Sequence, residues 1–269
     1  MNITTPRVIS NSGGRTSGLM TLREMERGLG PEDYVVFCNT GMEDEETLLF
    51  LHRQQTLLGV PLRWIEYCPT TQWKEVSYAT ASRQGEPFVQ MMLKKQAVPS
   101  GHMGRFCTTD LKIKPKIAFM RSMGHPYFEA VVGIRADEPH RHFAAKDDKR
   151  HHVTHPLYHA GISRPDVLRF WKQQPFDLEV DPLAGNCTLC FGKGMGKKLE
   201  LLERRPELAQ WWIEVEAAMG HPFSQRYSMQ ALADRAQKQA AARRAAPQAT
   251  IDFMPEYDEP SISCFGCTD

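Results

Sequence analysis

Two sets of residues in this chain have the types and spacing to do chemistry. The first is Ser10-Asn11-Ser12-Gly13-Gly14-Arg15-Thr16-Ser17. Small residues let a backbone approach a phosphate closely, and a helix that starts just after them turns its free amides and positive dipole end toward the anion. Ser10, Ser12, Thr16 and Ser17 add hydroxyl groups, and Arg15 adds a charge that can neutralise the anion. The same residues would also make an ordinary strand-to-helix turn capped by Ser12. No Gly-Lys-Ser/Thr follows a four-residue gap, so this is not a Walker loop. The second set is thiols: Cys187-Thr188-Leu189-Cys190 and Cys264-Phe265-Gly266-Cys267. A C-x-x-C turn points two thiolates at one metal, and two such turns supply four ligands for zinc or for a [4Fe–4S] cluster. The spacing leaves both open. Lys193, Lys197 and Lys198 follow the first pair, either lowering thiol pKa values or opening a solvated helix. Cys38 and Cys68 sit at strand ends and read as core.

The elements that must hold these residues can be read from periodicity. Arg7 to Ser10 is a short apolar strand, and Leu19, Leu22, Met25 and Leu29 repeat at helical spacing until Gly30-Pro31. Tyr34 to Cys38 is a continuous β-branched and aromatic run of the kind buried on both faces of a parallel sheet. A second helix carries Leu48, Leu51 and Leu58, and a third strand spans Arg63 to Tyr67. Two successive β-α-β units predict a doubly wound, Rossmann-like α/β fold with ligands at the strands' carboxyl ends. Residues 69 to 106 show little periodicity and are expected as an active-site insertion. Lys112 to Met123 is predicted helical and Phe128 to Ile134 a buried strand. Asp137 to Ala160 holds six of the ten histidines with Arg141, Lys146, Lys149 and Arg150, and is expected as a polar loop, either solvated or closing as a lid. Helices follow from Asp166, over Gly194 to Arg204, Pro206 to Met219 and Met229 to Ala246. Trp211 and Trp212 read as core packing with an interface edge, and the basic last helix as solvent-facing or as a nucleic-acid contact. The expected division is a nucleotide-binding domain over 1–160 and a helical, cysteine-bearing region over 161–269.

Composition narrows the classes. The 269 residues suffice for a full core, and 41% hydrophobic with 24% charged content is ordinary for a globular protein. A formal net charge of +1 gives no global field to select nucleic acid or membranes. Met1 to Pro6 lacks the pattern of a secretory signal, and no run is long enough to cross a bilayer. Seven cysteines, with two metal-type pairs, fit a reducing cytosol better than a disulfide framework. A cytoplasmic protein is expected, with no membrane partner.

Four ordered segments resemble the phosphoadenosine-phosphosulfate (PAPS) reductase-like branch of the PP-loop superfamily. Residues 10–17 are similar to its SGG(K/R)TS phosphate loop. Phe37 to Gly41, with Glu43, Glu46 and Thr47, resembles the motif beside the adenosine. Arg105-Phe106-Cys107-Thr108-Thr109-Asp110-Leu111-Lys112-Ile113-Lys114-Pro115 resembles the R-x-C-T-x-x-L-K-x-x-P segment. Gly133 to Glu138, with Arg141, resembles the segment that closes over the nucleotide. The likeness runs from about Arg7 to Cys190. Thr16 stands where ATP pyrophosphatases carry aspartate, and the reductases' Glu-Cys-Gly-Leu-His tail is absent.

The resemblance implies roles. Ser10, Ser12, Gly13, Gly14, Arg15, Thr16 and Ser17 would cradle phosphates, with Gly133 close by and Asn39 and Thr40 beside the adenosine. Lys112, Arg135 and Arg141 would stabilise the developing anion. Cys107 falls where iron–sulfur sulfonucleotide reductases place a cluster cysteine. It would join Cys187, Cys190 and one of Cys264 and Cys267 around a [4Fe–4S] cluster, with zinc as the alternative, and would also be a candidate nucleophile. The implied cofactors are ATP, with magnesium, or PAPS. A sulfur donor or thiol reductant is the implied partner, nucleic acid is one class of acceptor, and a homo-oligomer is compatible. Three functions follow: ATP-dependent, cluster-dependent sulfur transfer, a sulfonucleotide reductase releasing sulfite, and a non-catalytic nucleotide-binding module with a structural zinc.

Overall fold

The computed structural model describes residues 5–100, 103–145, 147–181, 183–185 and 187–245. The chain opens with β1 (Arg7–Ser10), α1 (Arg15–Arg27), β2 (Tyr34–Asn39), α2 (Glu45–Leu57) and β3 (Leu62–Glu66). These short runs are strands because both faces are covered, and nearly all of β2 is buried. Six strands make one sheet in the order β4-β3-β2-β1-β5-β6, where β4 is Lys74–Val76, β5 Phe128–Val132 and β6 His151–Thr154. All neighbours are parallel except β4, which runs antiparallel to β3. The fold is a Rossmann-like doubly wound α/β sheet. Strand order reverses between β1 and β5, and such a switch point opens a crevice above the strands' carboxyl ends.

The sheet has two unlike faces. On one, Ile9, Phe37, Trp64 and Val131 pack against α1, α2 and Trp171 of α8 (Arg164–Trp171). On the other, Val36, Phe128 and Ala130 pack against Ile117 and Phe119 of α5 (Lys114–Ser122). A third cluster is helical. It joins α3 (Glu86–Lys95) to α9 (Met195–Arg204), α10 (Ala209–Met219) and α11 (Met229–Ala245) around Trp212, Phe223 and Leu232. Val167, Trp171 and Leu178 belong to the sheet cluster, whereas Phe88 and Met92 of α3 belong to the helical one.

Several segments differ from their sequence reading. Residues 69–106 hold β4 and α3, whose apolar face was hidden because it docks on a cluster far along the chain. The histidine-rich stretch contains α6 (Pro139–Ala144), β6 and α7 (Pro156–His159). As an outer strand with polar residues, His151–Thr154 lacks the apolar run that marks its inner neighbours. The helix expected from Lys112 begins earlier, at α4 (Phe106–Thr108), and passes through a π turn over Thr109–Ile113 before α5. Cys68, expected in the core, is half-buried at the surface and shares a hydrogen bond with Thr70 at 3.1 Å. Hydrogen bonds from Thr70 and Thr71 lower its thiol to about 6. No helix among the described residues is long and apolar enough to cross a membrane.

Candidate active site

The β1–α1 loop is tied into shape by its own side chains. Ser17 Oγ accepts from the Ser12 amide at 3.0 Å and donates to the Gly14 carbonyl at 3.0 Å, while Asn11 Oδ1 accepts from the Gly13 amide at 3.2 Å. Gly13 lies at φ +83°, and a Cβ there would sit 2.5 Å from Thr47 Cγ2 of α2. That glycine is required by the loop's packing on α2 as well as by its backbone. Gly14 precedes α1 in extended conformation, so the amides of the first turn point out of the helix toward the crevice. Gly133 serves the other side: a Cβ would stand 3.1 Å from Ser17 Cα, a tight contact that glycine avoids where the end of β5 meets the start of α1.

A cavity of about 300 Å³ opens at this point, at the small end of the range for ligand pockets. Ser10, Ser12, Ser17 and Gly133 form one end of its wall, with Lys112 and Lys116 facing them. Lys116 Nζ donates to Ser10 Oγ at 2.8 Å, and burial holds its pKa below the ordinary lysine value. The rest of the wall is mostly apolar, from Val36, Ile117, Phe128, Ala130 and Val153. Lys116 was missed in the sequence, although it lies one helical turn beyond Lys112 on the same face. A cavity with cations and an amide-rich loop at one end and apolar walls beyond is suited to a phosphorylated aromatic ligand.

The other residues expected to bind nucleotide stand around this wall. Arg15 is turned to Asp177, which accepts from its Nε at 2.7 Å and its Nη2 at 3.1 Å. Thr16 is buried and accepts from Arg135 Nη1 at 3.1 Å, so Arg135 braces the loop from behind. Arg135 also donates to Asp137 and pairs with Glu138 at 3.6 Å, and Arg141 donates to the same Glu138, so the two buried arginines share one carboxylate. Asn39 donates to Glu66 Oε1 at 2.7 Å and to the Ser82 carbonyl at 2.8 Å, and Thr40 bonds Glu43. Arg15, Thr16, Asn39, Thr40, Arg135 and Arg141 are not among the described residues of the cavity wall.

Thiols gather on the far side of Lys112. Cys187 and Cys190 close one turn, with the Cys190 amide donating to the Cys187 carbonyl at 3.1 Å. Lys193 and Lys198 stiffen this loop by donating to the carbonyls of Thr188 at 2.9 Å and Phe191 at 3.2 Å. Cys187 Sγ lies 3.9 Å from Thr40 Oγ1. Burial pushes its thiol well above the ordinary value, Glu43 adds to this, Lys112 opposes it, and Cys190 and Cys107 contribute. Glu43 is itself held above the usual carboxyl range by burial, against the pull of Lys112. Cys107 on α4 adjoins Thr108, which lines the cavity. Lys112 therefore links the loop end of the cavity to the thiol group.

A tetrathiolate site needs four sulfurs. Cys107, Cys187 and Cys190 offer three, and among the described residues no three His, Cys, Asp or Glu side chains are arranged to hold a metal. Cys264 and Cys267 lie outside the described residues.

No protein-family model matches the chain. It is 34% identical over 204 residues to the uncharacterized nin region protein ORF290 of Escherichia phage lambda, a match covering 71% of this chain and 67% of that protein. At that identity and coverage, the chain belongs to the family of the phage lambda nin region protein ORF290.

Proposed function

We propose that this chain is a PP-loop enzyme of the PAPS reductase-like kind that binds an adenine nucleotide and transfers sulfur. The reading is carried by one observation: the switch-point cavity joins the loop residues Ser10, Ser12 and Ser17 to Lys112 and Lys116 and continues as an apolar slot. The nucleotide's phosphates sit against the loop and the two lysines, and its base enters the slot. In the favoured reaction an acceptor oxygen attacks the α-phosphorus of ATP, the bond to the bridging oxygen breaks, and pyrophosphate leaves. A hydrosulfide-class donor then attacks the acceptor carbon, the carbon–oxygen bond breaks, and AMP leaves with its electron pair. Lys112 and Lys116 offset the charge that grows on the phosphates in the first step.

The thiols beside Lys112 support a second reading. A cysteine thiolate attacks the sulfuryl sulfur of PAPS, the sulfur–oxygen bond breaks, and adenosine 3′,5′-bisphosphate leaves. One thiol of a dithiol reductant then attacks the cysteine sulfur, the bond to the sulfonate breaks and sulfite leaves, and the second thiol frees the cysteine as the reductant closes to a disulfide. Anaerobic incubation of the full chain with ATP or with PAPS separates the two. AMP and pyrophosphate, formed with an acceptor and a sulfide donor, support sulfur transfer. Sulfite and the bisphosphate support the reductase. Nucleotide binding without any of these products, in a folded sample holding zinc, overturns both in favour of a non-catalytic module.

A further inference from the structure

Among the described residues, two ring nitrogens of the cavity wall are buried without a hydrogen bond: His151 Nδ1, which has Asp148 Oδ1 at 3.2 Å, and His155 Nε2, which has no such neighbour. His155 is only 3% exposed and follows directly on β6. Its Nδ1 meets His142 Nδ1 at 2.9 Å, and its Nε2 is buried with no hydrogen-bond partner. A buried ring nitrogen left unpaired is unfavourable, so native structures rarely keep one without a use. The contact with His142 ties the role of this second ring nitrogen to that of the first. One proton lies between the two Nδ1 atoms, so Nε2 either donates (when His142 supplies that proton) or accepts (when His155 does). His142 is itself held by stacking on Tyr158, with ring centroids 3.9 Å apart.

Strand register places this nitrogen relative to the phosphate end. Ser10 pairs with Val132 across β1 and β5, and Val131 pairs with Thr154 across β5 and β6. Ser10, Val132 and His155 therefore lie at one level on three adjacent strands. Two strand spacings are about 10 Å. A nucleoside 5′-phosphate spans a comparable distance from its phosphate to the far edge of its base. Val153, Phe128 and Ala130 lie on the same sheet face below that level and Ile117 of α5 faces them, so a flat ring entering here meets apolar surface on both sides.

We infer that His155 is the base-reading residue of this site: its Nε2 hydrogen-bonds the edge of the bound adenine, and His142 fixes which tautomer it presents. The inference rests on the proposed nucleotide reading and adds a base-contacting residue to it. Calorimetric titration of the full chain with AMP and with inorganic pyrophosphate tests it in wild type, His155→Leu and His142→Phe. Loss of one neutral hydrogen bond predicts about tenfold weaker AMP binding in His155→Leu with pyrophosphate affinity unchanged. His142→Phe keeps a ring against Tyr158 and should weaken AMP by a smaller factor. Histidine ¹⁵N spectra of the wild type provide a readout independent of any variant. The His155 Nε2 resonance should move with AMP and stay still with pyrophosphate. Wild-type AMP affinity in His155→Leu, or an unmoved resonance in the AMP complex, overturns the inference and leaves the nucleotide reading standing. A wild-type protein that binds neither AMP nor pyrophosphate overturns both.

Discussion

His155 also makes a prediction about stability, independent of any ligand. Burial first, then the neighbouring His142, His159 and Arg141, push its pKa down from the ordinary 6.5 to about 4, against a weaker opposing pull from Asp147. Between those values the unfolded chain holds a proton that the native chain does not, so stability falls as pH drops from about 6.5 toward 4. The contribution is on the order of 1–3 kcal/mol. Urea denaturation at pH 7 and at pH 4.5 should show a larger loss for wild type than for His155→Gln, which cannot take up the proton. Equal losses would mean that His155 is charged in the native state. At the phosphate end, Lys116→Met removes a buried cation bonded to Ser10 while keeping an unbranched stem. Pyrophosphate affinity should fall by about tenfold or more, the size of one charge-assisted hydrogen bond. An unchanged affinity would show that Lys116 supports β1 and leaves the anion alone.

At the scale of elements, the loop is only as well placed as the helices that carry it. α8 reaches the start of α1 through Trp171, whose Nε1 donates to the Arg15 carbonyl at 2.7 Å. Its ring packs on Phe50 with centroids 4.7 Å apart, and a Cβ on Gly18 would stand 2.7 Å from Trp171 Cζ2. Trp171→Phe should keep most of the packing, lose about 1 kcal/mol with the hydrogen bond, and weaken pyrophosphate binding. Trp171→Ala should cost about 3–5 kcal/mol through the cavity it leaves. Denaturation and titration of both variants check this, and a Trp171→Phe protein with unaltered anion affinity would remove α8 from the account of the loop. None of this long-range bracing was legible in the sequence. The inner strands were, because burial on both faces writes continuous apolar runs at Arg7–Ser10, Tyr34–Asn39 and Phe128–Val132. The β1–α1 loop was legible for a related reason, since its positive φ and close packing on α2 demand glycine at Gly13 locally. Lys116 and His155 carry no such mark. A π turn over Thr109–Ile113 and a polar edge strand decide where they point, and both depend on neighbours distant in the chain. Asn39 and Thr40 show the converse: their motif was visible, but their side chains are taken up by Glu66, Ser82 and Glu43.

Across the whole molecule, the sheet and the helical cluster meet near Lys112, with the β1–α1 loop and its cavity on one side and thiols on the other. The thiols come from segments far apart in sequence: Cys107 on α4, the Cys187–Cys190 turn, and Cys264 with Cys267 beyond the described residues. Cys187, pushed well above its ordinary pKa by burial, is poorly set to ionise unaided. A bound metal would reverse that, because coordination deprotonates a thiol outright and repays the burial of its charge. The proposal of a tetrathiolate centre therefore depends on the tail supplying what the first three lack. Anaerobically purified full chain should be brown and hold iron and acid-labile sulfide, and Cys264→Ser/Cys267→Ser should lose both while keeping its far-ultraviolet circular dichroism. Pyrophosphate affinity should survive in that variant, since the loop and both lysines are untouched. A colourless wild type with stoichiometric zinc would replace the cluster by a structural knuckle. Iron retained in the double variant would instead confine the centre to Cys107, Cys187 and Cys190, with one iron lacking a protein thiolate.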